Sequence, residues 1–222
     1  MEPIATIKTP FHEKFGVPRQ PLLIPEAWGR MSFAKTDFYT EAFRGLEGFS
    51  HLWLIFEFHQ IDEGKFNALV RPPRFEGKRK LGVFATRSPH RPNRLGLSVV
   101  KFEKIEMTDN EVILWVSGVD LVDGTPILDI KPYIPYVDRV ESATSVEFTE
   151  SPKHMQVKWL CDKPTDAILI EKVVALDPRP GHDRKDGEEF GVSVAGWNVR
   201  FKEANNVLLI LTVKTQKNNP SH

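Results

Sequence analysis

The sequence predicts a mainly β protein: a small closed or nearly closed barrel followed by a smaller α+β domain. Three observations lead there. The first two thirds of the chain hold short apolar runs of strand length, separated by turn residues. Several such strands at short spacing are the pattern of a barrel that closes to hide its edges. From about Thr144 the pattern changes to one amphipathic helix and two alternating strands. A length of 222 residues fits one domain with an appendage, divided here as 1–143 and 144–222.

Taken in order, the first strand precedes the polar cluster Gly16-Val17-Pro18-Arg19-Gln20-Pro21. His51–Phe58 (HLWLIFEF) is apolar, aromatic and of strand length, which predicts a strand covered on both faces. Leu81–Thr86 and Leu97–Phe102 are two further apolar runs, with the loop Ser88–Arg94 between them. Thr108-Asp109-Asn110 is a turn cluster, so Glu111–Ser117 (EVILWVS) should form a hairpin with the strand before it. Ile127–Tyr136 carries Pro132 and Pro135, which predicts an extended lining segment or an edge. Asp166–Leu176 repeats apolar residues at helical spacing (Ala167, Ile170, Val173, Val174), and Pro178 ends it. Trp197, Val199 and Phe201 alternate with polar residues, and a turn at Glu203–Asn206 leads into the strand Val207–Val213.

Composition excludes more than it assigns. Lys+Arg and Asp+Glu are both 30, and Cys161 is the single cysteine, which removes disulfide frameworks and multi-cysteine zinc sites. The N-terminus lacks the basic and apolar regions of a signal peptide, and no apolar run nears the ~18 residues of a membrane helix. A cytoplasmic protein without a membrane partner is expected. Phosphate-loop, dinucleotide-fold, serine-elbow and zinc-protease motifs are absent from the sequence, and the seven histidines show no metal-ligand spacing. No metal is expected.

The even charge balance hides a local excess. Between Arg71 and Arg94 stand eight basic residues (Arg71, Arg74, Lys78, Arg79, Lys80, Arg87, Arg91, Arg94) against Glu76 alone, leaving 22 basic and 29 acidic residues elsewhere. Such a segment is either a polyanion footprint or a solvated loop neutralised in the fold. Three clusters could carry chemistry. Arg19 and Gln20 offer donors and an acceptor to a ligand, or form an ordinary surface loop. His59-Gln60 ends the apolar strand, either at a ligand-holding barrel mouth or as a boundary pair. In Arg87–Gly96, prolines and a glycine suit a structural loop, but the density of guanidinium groups favours a functional one.

These residues carry a resemblance. FATRSPHRPNRLGLS, with EFHQ upstream and DLVDGTPILDIKPYIPY downstream, resembles the TsaA-like family of bacterial TrmO-type tRNA (adenine-N6) methyltransferases, over about Ile4 to Asp138. In the tail, Asp177-Pro178-Arg179-Pro180 and Trp197-Asn198-Val199-Arg200-Phe201 stand where the family has similar motifs. Gly181-His182 and Gly196-Trp197 depart from it. The resemblance implies a homodimer that uses S-adenosylmethionine to methylate N6 of N6-threonylcarbamoyladenosine, beside the anticodon of a threonine tRNA. It implies cofactor contacts at Pro18, Arg19, Gln20, His59, Gln60, Arg87, Leu97, Leu128, Asp129, Ile130 and Lys131. Lys78, Arg79, Lys80, Arg91 and Arg94 would contact RNA phosphates; Arg87, Arg91 and Arg94 could also hold the substrate's threonyl carboxylate.

The acceptor nitrogen is urea-like and nucleophilic only as its proton leaves, so a base is useful. Asp129 is the first candidate and His90 the second; a turn or cap carboxylate is the other reading of Asp129. Composition and spacing alone support a polyanion-binding barrel. A non-catalytic nucleotide-binding or RNA-binding barrel is therefore the competing expectation.

Overall fold

The computed structural model describes residues 1–62, 64–72, 79–146, 148–180 and 185–216. Its centre is a closed barrel of six strands: β1 (Ala5–Lys8), β2 (Trp28–Ala34), β3 (His51–Glu57), β6 (Leu95–Met107), β7 (Glu111–Ser117) and β8 (Thr125–Pro132). They close in the order β1-β2-β7-β6-β3-β8, and all six contacts are antiparallel. Two short strands, β4 (Leu69–Val70) and β5 (Leu81–Gly82), form a ribbon outside it.

Side-chain alternation fills the barrel. In β3 the residues Leu52, Leu54 and Phe56 are buried, while His51, Trp53, Ile55 and Glu57 are half-buried. The expected double cover of this strand is therefore not found; the apolar Trp53 and Ile55 lie on the outer wall. Leu52 and Leu54 meet Ile7, Met31, Val100, Leu114, Val116 and Ile127 in the core, each essentially without exposed surface. That is the packed interior of a small barrel, where side chains occupy the space a ligand would need. At roughly 1.5–3 kcal/mol for each fully buried aliphatic side chain, this layer is the main source of stability. Gly96 of β6 is required by the packing, because a Cβ there would run into the Phe56 ring.

Two sequence expectations change here. The run Leu81–Thr86 makes only the two residues of β5, then a 3-10 turn over Val83–Ala85. The segment Ile127–Tyr136 is no edge: β8 pairs with β1 on one side and β3 on the other. Its prolines are tolerated by position. Pro132 pairs with Leu52 as the last residue of the strand, Pro126 lies just past the end of the β3 ladder, and Pro135 opens the short helix α2 (Pro135–Asp138). The hairpin between β6 and β7 forms at Thr108-Asp109-Asn110, where the Thr108 amide donates to the Glu111 carbonyl at 2.9 Å and the Glu111 amide donates to the Thr108 hydroxyl at 3.0 Å. The helix α1 (Asp37–Ala42), capped by the Thr36 hydroxyl on the Tyr39 amide at 3.2 Å, and the strand β2 had no distinct sequence signal.

The C-terminal part is a four-stranded sheet with one helix. β9 (Gln156–Trp159), α3 (Ala167–Ala175), β10 (Glu189–Val194), β11 (Trp197–Ala204) and β12 (Val207–Thr215) follow in sequence, with sheet order β10-β11-β12-β9. The helix buries Leu169, Ile170, Val173 and Val174, as its periodicity predicts. The strand pair expected from sequence is thus the middle of a larger sheet. Both of its hairpins are two-residue loops, Ala195-Gly196 and Asn205-Asn206, with all four residues at positive φ. That is the turn whose twist suits paired strands, and Asn and Gly tolerate it best.

The Asp177-Pro178-Arg179-Pro180 motif is a buried latch. Arg179 is almost fully buried and donates from Nε to Asp177 at 2.7 Å and from Nη2 to Glu203 at 2.6 Å, over the Phe190 ring. It joins the end of α3 to β11. The barrel and the second sheet share one apolar cluster. Lys172 of α3 pairs with Glu26, and the Ala195 amide donates to the Pro10 carbonyl at 2.7 Å. No helix among the described residues is long and apolar enough to cross a membrane.

Candidate functional site

The ladders set one end of the barrel. There β3 ends and β6 begins (Glu57 opposite Leu95), β8 begins (Ile127 opposite Phe56), and β2 begins where β7 ends (Trp28 opposite Ser117). The loops that leave this end carry the three polar clusters singled out from sequence, while Leu97 lies on β6 and Leu128–Lys131 on β8.

The segment after β1 crosses this end and is fixed at two points. The Leu22 amide donates to the Gly118 carbonyl at 2.8 Å. Gly16, at φ 98°, packs against the C-terminal part, where an added Cβ would stand 2.6 Å from a Val192 methyl and 3.6 Å from Val173. Only glycine combines that conformation with that contact. Between the two anchors Pro18 is buried, Arg19 is exposed and Gln20 is half-buried. A small pocket beside this segment is lined by Val17, Pro18, Arg19, Val173, Leu176 and Pro178.

Arg87 reaches across to the same segment and donates from Nη1 to the Gln20 Oε1 at 2.6 Å. Two clusters 67 residues apart in sequence are thereby one site. The neighbouring arginines are used differently. Arg91 donates to the Thr86 carbonyl at 2.8 Å and the Val83 carbonyl at 3.3 Å, folding the loop onto itself. Arg94 donates to the Ile61 carbonyl at 2.6 Å and pairs with Glu57 at 2.6 Å, tying the His59-Gln60 turn to the start of β6. Both lie half-buried in these contacts. Their guanidinium density, which pointed to function from sequence, thus also builds the loop. Arg79 and Lys80 are exposed, whereas Lys78 lies outside the described residues.

His59 and Gln60 are exposed just past β3. His90 is half-buried; its amide donates to the Ser88 hydroxyl at 3.3 Å and its carbonyl accepts from Asn67. Leu97, Ile55 and Asp129 form one row across β6, β3 and β8, on the outer wall. A register shift makes Leu128 a bulged residue in β8, the kind of irregularity that re-aims a side chain. Leu128 lines an open cleft of about 740 Å³ with Glu57, Lys65, Arg91, Arg94 and Leu95. Ile130 packs toward the core, while Asp129 and Lys131 point outward and pair at 2.8 Å. The other Asp129 oxygen accepts from the Ile130 amide at 2.9 Å. Both oxygens of the sequence candidate for a base are therefore engaged.

Asp120 was not singled out from sequence. It follows β7 by three residues, and burial raises its carboxyl from 3.8 to about 6, against the pull of the Ser98 hydroxyl and the Arg87 charge. Its Oδ1 is buried and has no hydrogen-bond partner among the described residues. Asp120 opens the motif Asp120–Tyr136, within which the sequence reading pointed to Asp129.

A closed barrel with its core packed solid, with guanidinium, amide and carboxylate groups in the loops at one end and an open cleft there, has the features of a ligand-binding barrel of nucleotide scale. The chain belongs to the tRNA-methyltransferase O family: the model of that family's N-terminal domain matches residues 6–139, and the model of its C-terminal domain matches residues 141–216. It is 40% identical to the tRNA (adenine(37)-N6)-methyltransferase of Escherichia coli K12, over 90% of this chain and 92% of that one. It is 44% identical to a putative S-adenosylmethionine-dependent methyltransferase, RcsF, of Pseudomonas aeruginosa, over 90% of this chain and 91% of that one. The crystal structure of TrmO from Pseudomonas aeruginosa superposes with a TM-score of 0.76 at 37% identity, covering 96% of this chain and 97% of that one.

Proposed function

We propose that the chain transfers the methyl group of S-adenosylmethionine to N6 of an adenosine in tRNA, and that the acceptor is N6-threonylcarbamoyladenosine beside the anticodon of a threonine tRNA. The observation that carries this reading is the Arg87–Gln20 bond. It gathers, at one end of a family barrel, the polar groups that the resemblance assigns to the methyl donor.

The donor set fits such a group. Arg19, Gln20 and Arg87 offer hydrogen bonds to ribose or carboxylate oxygens, His59 and Gln60 are exposed just past β3, and Leu97 and Leu128 provide apolar surface for an adenine ring. Because the barrel interior is packed, the ligand lies across the end and upper wall, not inside. Lys131 and its partner Asp129 line that wall. The bound sulfonium supplies an already activated methyl, so the protein's task is to orient the acceptor nitrogen and remove its proton. Residues 1–143 would supply these contacts, with residues 144–222 holding the Gly16–Gln20 segment in place.

For tRNA, the exposed Arg79 and Lys80 extend the positive surface away from the cleft, and Lys78 belongs to the same sequence run. Arg91 and Arg94 line the cleft, where guanidinium groups suit a phosphate or the threonyl carboxylate. A homodimer would bring two such surfaces to one RNA. The test is mass spectrometry of tRNA nucleosides after incubation with the protein and isotopically labelled S-adenosylmethionine. The expected product is labelled N6-methyl-N6-threonylcarbamoyladenosine in threonine tRNA. Label on another nucleoside, or none, would overturn the substrate assignment.

A further inference from the structure

Beyond β7 the chain crosses the end of the barrel through Gly118, Val119 and Asp120 before Leu121 re-enters the core. Val119 and Leu121 are buried on either side. Between them Asp120 is half-buried, with Oδ1 shielded from water and without a hydrogen-bond partner among the described residues. A buried polar atom without a partner costs free energy, and a side chain of similar size without the charge would serve the fold better.

Nearby carboxylates show what structural use looks like in this fold. Asp123 accepts from the Thr9 amide at 2.8 Å with one oxygen and faces His12 at 3.5 Å with the other. Asp129 is engaged through both oxygens as described. Asp120 alone of the three keeps an acceptor open.

Its surroundings belong to the methyl-donor site. The Arg87 guanidinium, the cationic group it responds to, comes from the Arg-rich loop and is bonded to Gln20. Ser98, on β6, follows Leu97. The segment carrying Gln20 bonds through Leu22 to Gly118, two residues before Asp120. Further along the turn, the His12–Asp123 pair is the next titratable group. The open oxygen is thus an acceptor for an N–H that the described residues do not provide.

We propose that Asp120 Oδ1 is the proton acceptor of the methyl transfer, receiving the hydrogen of the acceptor nitrogen as that nitrogen is methylated. This inference rests on the reading that the chain methylates N6 of a tRNA adenosine. The N–H bond breaks with its electron pair left on nitrogen and its proton passing to Oδ1. The nitrogen pair forms the new N–C bond while the S–C bond breaks and its pair goes to sulfur. One sulfonium charge and one carboxylate charge disappear together, leaving a neutral thioether and a protonated Asp120. The carboxyl returns its proton to water when product leaves. Burial suits this role, because it makes the carboxylate a stronger base than an exposed one while leaving it ionised at neutral pH.

The test compares the wild-type protein with Asp120→Asn. Single-turnover methylation of tRNA is followed between pH 5 and 9, and binding of S-adenosylhomocysteine is measured by calorimetry. The Asp120 carboxyl of the wild-type protein without ligand is titrated by carbon-13 NMR. The expected results are a rate lower by about 10²–10⁴, loss of the acidic limb near pH 6, and affinity for S-adenosylhomocysteine within about threefold of wild type. The NMR midpoint should lie near 6. A variant that turns over at the wild-type rate, or keeps the acidic limb, overturns the proposal. Affinity falling in step with rate does so too, by making Asp120 a ligand contact. If the variant does not fold, as its melting curve will show, the NMR titration decides: a midpoint near 4 overturns the proposal. A wild-type protein that methylates no tRNA would instead remove the functional reading itself.

Discussion

The Arg87 guanidinium donates to the Gln20 side-chain oxygen at 2.6 Å, joining the loop before β6 to the segment after β1. Neither residue is buried deeply, so the bond is strong only when a ligand excludes water from it. The pair is therefore a gauge of how the site closes.

Removing either partner should weaken binding of S-adenosylmethionine by about 1–3 kcal/mol, since the ligand then faces an unpaired group. Calorimetry on Gln20→Ala, Arg87→Ala and the double variant forms a cycle. A coupling of at least about 0.5 kcal/mol is expected if the two act together on the ligand. Strict additivity would show that they act separately.

Arg94 has a different expected signature. Its bonds to the Ile61 carbonyl and to Glu57 hold the turn at the end of β3. Arg94→Ala should lower stability by roughly 1.5–3 kcal/mol, the range for hydrogen bonds to a charged group. Lys80→Ala should leave the melting temperature unchanged and reduce the salt dependence of tRNA binding by about one unit of slope. Denaturant melts and salt titrations on both variants check this.

Gly16→Ala should be costly twice over, once for a side chain at φ 98° and once for overlap with Val192. A loss of about 2–4 kcal/mol in stability is expected from strain and overpacking together. Adding Val192→Ala should restore the overlap share but not the backbone share. Thermal melts of the single and double variants separate the two.

Asp120 gives a pH signature in stability as well as in rate. Its carboxyl is raised from 3.8 to about 6 in the folded protein, so the folded state binds the proton more tightly. Relative stability is then fully present below about pH 4 and is lost as pH rises through about 6. At about 1.4 kcal/mol per unit, the cost at pH 8 is on the order of 3 kcal/mol. Asp120→Asn should thus melt several degrees above wild type at pH 8, with the gap closing near pH 4. A constant gap across that range would contradict the assigned cause.

Legibility from sequence followed physical signal strength. Glu111–Ser117 was readable from the turn cluster before it, and alternation in Trp197–Phe201 and helical periodicity in α3 were readable because burial imposes a period. β2 was missed: Trp28–Ala34 mixes Gly29, Arg30 and Ser32 with four apolar residues, and its alternation is set by partners on β1 and β7 that are distant in sequence. The barrel position of Ile127–Pro132 was misread because two prolines outweighed the pattern, and only the ladder shows that they fall at harmless places. Arg19, Gln20 and Arg87 were legible as clusters, but their contact was not, since nothing local links the two loops. Asp120 was overlooked because a lone aspartate before an apolar pair looks like any turn residue. Its meaning comes from burial, which a sequence does not display.

The Gly16 contact has a consequence for how this protein can vary. The segment that offers Pro18, Arg19 and Gln20 is braced on one side by the barrel through Gly118 and on the other by Val192 and Val173 of the C-terminal part. A substitution on the far sheet that shifts either valine moves a hinge of the ligand loop, though it touches neither ligand nor RNA. The two parts of the chain are consequently not exchangeable modules: a C-terminal part grafted from a relative would carry its own setting of that loop, and with it its own version of the proposed donor contacts.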